Sequence, residues 1–174
     1  MRVNRSAVMG AAWLVAAAGL FAVCPAAADN PALIKFQAKG GFEDVLHRVK
    51  AGLEEKQFLI SHEDNLAKAL ENNKHLFLGG QWNKSGFQNA VAVHFCSLTF
   101  NQEVFNTNMD WSVLCPFKVV LYNMKANPEL IYIVMTRPSL IFTQDSDPRG
   151  QSIGRRIDER ITSAIRDGVN LIIR

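Results

Sequence analysis

Cysteine is scarce in this chain, three in 174 residues, and no two of them are spaced Cys-x-x-Cys. That scarcity excludes a disulfide-dense miniprotein, and the lack of Cys-x-x-Cys-His excludes covalent c-type haem attachment. A surplus of one charge is also lacking. There are 19 basic and 16 acidic residues, and Arg2 and Arg5 lie in an acid-free N-terminal stretch that reads as a leader. Without them the balance is 17 against 16, which argues against a nucleic-acid binder, because phosphate contacts need clustered positive charge. No Gly-x-Ser-x-Gly, His-Glu-x-x-His or phosphate-cradling glycine loop occurs, so the reading leans away from an enzyme. What is present is a globular composition, 48% hydrophobic and 20% charged, which excludes wholesale disorder.

The first 28 residues have the parts of a Sec-type signal peptide. Met1–Ser6 is the positive region, Ala7–Val23 an apolar run of 17 residues, and Ala26-Ala27-Ala28 the small-residue cleavage site. Cleavage after Ala28 predicts a periplasmic or secreted protein of 146 residues beginning at Asp29. That length buries roughly 70% of the unfolded surface. Membrane contact is then expected only through the signal peptide. Cys24 leaves with the leader, so Cys96 and Cys115 remain in an oxidising space.

Along the remaining chain, Leu33–Phe36 reads as a strand. Phe42, Val45, Leu46, Val49 and Leu53 recur at helical spacing. Gln57–Ser61 reads as a strand and Asp64–Asn72 as a helix, with His62, Glu63 and Asp64 at its start. Ala90–Phe95 alternates, with Val91, Val93 and Phe95 on one face and Ala92, His94 and Cys96 on the other. Leu98–Asn106 forms a short helix burying Phe100, Val104 and Phe105. Pro116–Tyr122 and Leu130–Met135 pair as a hairpin. Thr143–Gly150 reads as a loop, and Ser152 as the cap of a helix striped with Ile153, Ile157, Ile161, Ile165, Val169 and Ile172 and carrying Arg174 at its end. The pattern predicts a single compact α+β domain: a mixed sheet of about five strands with helices packed on it, plus a C-terminal amphipathic helix. The expected divisions are 1–28 signal peptide, 29–149 α+β domain and 150–174 amphipathic helix.

Three segments carry a family likeness: Phe42–Phe58 (FEDVLHRVKAGLEEKQF), Val91–Phe105 (VAVHFCSLTFNQEVF) and Leu114–Tyr122 (LCPFKVVLY), with Leu130–Met135 as the hairpin return. Together they resemble the bacterial domain-of-unknown-function 302 family over about residues 33–142. The chain departs from the family pattern at Cys96-Ser97-Leu98, where glycine-asparagine-proline is common. It departs again at Cys115, which precedes Pro116 rather than following it, and the Ile-striped helix reads as an addition. The resemblance implies a compact α+β fold, a homodimer and no assigned biochemical role.

His94, Cys96 and Cys115 are the candidate chemistry. His94 and Cys96 leave one face of a strand, and Cys115 reaches them if the two strongest strands are neighbours. The set supports three readings: a Cys96–Cys115 disulfide, two unpaired buried thiols, or a ligand site. That site would hold copper or zinc, with thioether help from Met109, Met124 or Met135. Non-covalent haem would use His94, His47 or His75 as the axial ligand against Phe95, Phe100, Phe105 and Trp111. The expected function is an exported, non-catalytic protein that binds a small ligand, haem, metal or partner protein, with His94, Cys96, Cys115, Met109 and Trp111 lining the site. The alternative is a thiol–disulfide redox protein cycling Cys96 and Cys115, with Lys118 as the nearest positive charge in sequence.

Overall fold

The computed structural model of the protein describes residues 30–144 and 147–169. The leader and its cleavage site, Asp145 of the polar loop, and Ile172 and Arg174 of the last helix lie outside them. The elements run β1 (Leu33–Lys39), α1 (Phe42–Glu55), β2 (Leu59–Asn65), α2 (Leu66–Asn72), β3 (Phe87–Cys96), α3 (Leu98–Thr107), β4 (Phe117–Met124), β5 (Asn127–Thr136), α4 (Pro138–Phe142) and α5 (Pro148–Gly168). Short 3-10 helices occupy Lys74–Leu76 and Met109–Leu114.

The sheet order is β1-β5-β4-β3-β2, and every pairing is antiparallel. The mixed sheet expected from alternating elements is therefore not found. β1 and β2 do run parallel, as a strand–helix–strand unit favours, but the other three strands lie between them. No parallel pair forms among the described residues.

Helix α1 shows how the sequence sets an element and its end. Phe42, Val45, Leu46, Val49 and Leu53 make one buried stripe, and Glu43 and Asp44 occupy the first turn, where acids suit the helix dipole. The helix stops by backbone geometry. Gln57 turns left-handed at φ 64°, its N–H donates to the Glu54 carbonyl, and the Phe58 N–H donates to the Leu53 carbonyl at 3.0 Å. This is a Schellman closure, completed by burial of both Phe58 and Leu53.

One face of the sheet meets the helices. Val91, Val93 and Phe95 of β3, Phe117, Val119 and Leu121 of β4, and Ile131, Ile133 and Met135 of β5 point into a single core shared with α1, α3, α4 and α5. Helix α5 packs against α1, α3 and α4, so its isoleucines fill space between helices. The approach to α1 is very close: a Cβ on Gly52 would overlap the Ala164 carbonyl oxygen, and one on Gly168 would sit 2.5 Å from the Arg48 carbonyl oxygen. The polar stretch before α5 is shorter than expected. Pro148, with φ preset for a first helical turn, begins the helix, and the Asp147 side chain caps it by accepting from the Arg149 N–H at 2.9 Å. Ser152 is already inside. Phe105, expected in the core, is 40% exposed.

Candidate functional site

β3 and β4 are neighbours, so the end of one meets the approach to the other. Phe95 pairs with Phe117. One residue beyond that pair on β3, and two before it on the β4 side, Cys96 and Cys115 form a disulfide with sulfurs 2.00 Å apart and Cα atoms 5.9 Å apart. The Asn101 Nδ2 donates to Cys115 Sγ at 3.2 Å. With both sulfurs bonded to each other, neither is a thiolate ligand in this form. His94 is left to other neighbours.

Those neighbours come from an irregularity in β2. Ile60 pairs with Phe95, yet His62 pairs with His94, so Ser61 is an extra residue in the ladder. The Ser61 hydroxyl donates to the His94 carbonyl at 3.2 Å. A one-residue slip reverses every later side chain. Without the bulge His62 and Asp64 would point to the helix side; with it they share the face of His94. The Nε2 of His62 donates to Asp64 Oδ1 at 2.8 Å, and the Nε2 of His94 donates to Asp64 Oδ2 at 3.0 Å. The rings sit 5.9 Å apart. These hydrogen bonds, that of His62 foremost, hold the Asp64 carboxyl below its ordinary range. The His94 side chain is 21% exposed, so the group is an accessible, carboxylate-oriented imidazole pair. Such an arrangement orients an imidazole for ligation or proton transfer.

The remaining expected residues lie elsewhere. Trp111 is buried on the helix side, its ring 4.9 Å from that of Phe142 and pressed against Gly150. Met109 is 60% exposed at the start of the same 3-10 segment. The aromatic cluster around Phe100, Trp111, Phe117 and Phe142 encloses only about 10 Å³, the space of a water rather than a porphyrin. Among the described residues no set of three or more His, Cys, Asp or Glu side chains is arranged to hold a metal ion. A larger open groove of about 570 Å³ lies at the other end of β3, lined by Lys39, Gly40, Phe42, Asn89, Asn123 and Glu129 among others. Sequence reasoning missed Asp64 and His62 as partners of His94, because acids beside a helix resemble a helix start. Their alternation, His62 and Asp64 two apart, was the available signal.

This architecture matches a known family over most of its length. The model for the domain of unknown function DUF302 covers residues 34–167. The chain belongs to that family. The match runs through α5, so the Ile-striped helix is part of the DUF302 domain and not an addition to it. A crystal structure of an uncharacterized conserved DUF302 protein from Bacillus stearothermophilus superposes with a TM-score of 0.68 at 17% identity, covering 81% of this chain and 100% of that one. At that identity the likeness speaks for the fold. No curated protein matches the chain.

Proposed function

We propose that this DUF302 protein is an exported, non-catalytic binding and interaction protein whose sheet is braced by the Cys96–Cys115 bridge. The observation that carries this reading is the bridge itself, since a disulfide between a strand end and its neighbour's approach belongs to an oxidising compartment. The binding face is the one bearing His94, Asp64 and His62, where a ligand meets imidazole nitrogen beside the bridge. The test is a native mass spectrum of the protein from the periplasm, followed by a denatured one. A chain starting at Asp29, two hydrogens light, with an adduct lost on denaturation and absent from His94→Ala, supports the full reading. A chain retaining its leader, or carrying two free thiols, refutes it.

A second reading has its own support in the Asn101 contact. A donor 3.2 Å from Cys115 Sγ would stabilise a thiolate there once the bridge accepted two electrons and one proton from a dithiol donor, which becomes a disulfide and gives its second proton to water. Thiol trapping in cells separates the two readings: a wholly oxidised pool favours the brace, and a mixed pool that shifts with a dithiol reductant favours redox cycling.

A further inference from the structure

We propose that the segment from Leu76 to Trp82 is a peripheral membrane contact that takes anionic phospholipid. Leu76, Phe77 and Leu78 are consecutive and are 66%, 36% and 79% exposed. A strand or helix that used them for packing would bury one in every two to four; here none is buried. The tip is nevertheless shaped. The Phe77 N–H donates to the Lys74 carbonyl at 3.1 Å, and Gly79 and Gly80 reverse the chain at φ 63° and 72°. The Phe77 ring lies 5.7 Å from Trp82, and Trp82 meets Phe87 edge-on at 6.0 Å. Asn83 then closes the loop with two side-chain bonds of 2.9 Å to the Phe87 backbone.

Charge decides what the apolar tip fits. From Leu66 to Phe87 the chain carries Lys68, Lys74 and Lys84 against one acid, Glu71, and that acid is paired with Lys74 at 2.8 Å. Lys68 and Lys84 are exposed and make no ion pair among the described residues. Leucines and an aromatic that enter the head-group boundary, with lysines left at the surface, match a negatively charged lipid layer. No helix among the described residues is long and apolar enough to cross a membrane, so this contact lies on the surface. It adds to the leader, to which sequence reasoning confined membrane contact.

The test uses the chain from Asp29 onward, which holds every described element of the fold and lacks the apolar run Ala7–Val23 that would bind lipid in its place. Vesicles of phosphatidylcholine alone and with phosphatidylglycerol are titrated while tryptophan emission is followed. Trp82 is the responsive probe, since Trp111 is buried. Expected are a blue shift and co-sedimentation with the anionic vesicles, lost in Trp82→Phe (the shift) and in Leu76→Ser/Leu78→Ser (both). Each leucine should matter more than tenfold, and Lys68→Gln or Lys84→Gln about fivefold. All of these positions are exposed or half-buried, and an unchanged melting temperature verifies folding. Equal binding to neutral vesicles, undiminished binding by the double serine variant, or no binding to either kind of vesicle would each overturn the proposal.

Discussion

Removing the bridge should cost the protein much of its margin. Cys96 and Cys115 are separated by 19 residues, and closing a loop of that size lowers the entropy of the unfolded chain by an amount equivalent to about 3 kcal/mol at 25 °C. The described domain runs from residue 30 to 169. At about 2.1 cal/mol/K per residue its unfolding entropy translates that loss into a melting temperature roughly 10 °C lower. Serine at both positions is the right perturbation, because the hydroxyl that Cys115→Ser introduces can still accept from Asn101. Calorimetry of Cys96→Ser/Cys115→Ser beside the parent, with and without reductant, reads the effect. The reduced parent should melt with the double variant. A double variant within about 3 °C of the oxidised parent would refute the loop-entropy reasoning, and with it the brace.

Three other substitutions have defined outcomes. Gln57→Gly should raise stability by about 0.5–1 kcal/mol in urea melts, because glycine takes the left-handed turn after α1 without a Cβ penalty. Gly52→Ala should lower it by about 1–3 kcal/mol, against the usual gain for alanine in a helix, because the new Cβ meets the Ala164 carbonyl. Glu103 is held below its ordinary value by the hydrogen bond from Arg156, with a 2.6 Å contact. A lowered folded value means that its contribution is whole above about pH 4.5 and is lost as pH falls through the folded value. The pair is exposed, so Glu103→Gln should cost under about 1 kcal/mol at pH 7, and its urea midpoint should converge with the parent's as pH falls through the lowered folded value.

The core was legible because two periodicities are clean in the sequence. The alternation of Val91, Val93 and Phe95 and the spacing of Phe42, Val45, Leu46, Val49 and Leu53 both lie on buried faces. The neighbourhood of β3 and β4 entered only as a condition for bringing Cys115 to Cys96; the strand pairing and the bridge are findings of the structure. The mixed sheet was misread because periodicity identifies strands but carries no information on which strand lies beside which. The site was misread at Ser61. A single bulged residue decides whether His62 and Asp64 face His94, and its signature in sequence is one polar residue among several. Trp111, expected to line the site with His94, is sent by packing to the helix side against Phe142.

The sheet order also governs when the domain can form. Leu33 pairs with Thr136, and among the described residues β1 pairs with β5 alone. β1 thus waits for β5, the last strand of the sheet, across about a hundred residues. Local units, the β4–β5 hairpin above all, can assemble early, but β1 is recruited only after β5 exists, so folding should belong to the slow, high contact-order regime of milliseconds to seconds. A chain cut before Asn127 would have no place for its own beginning.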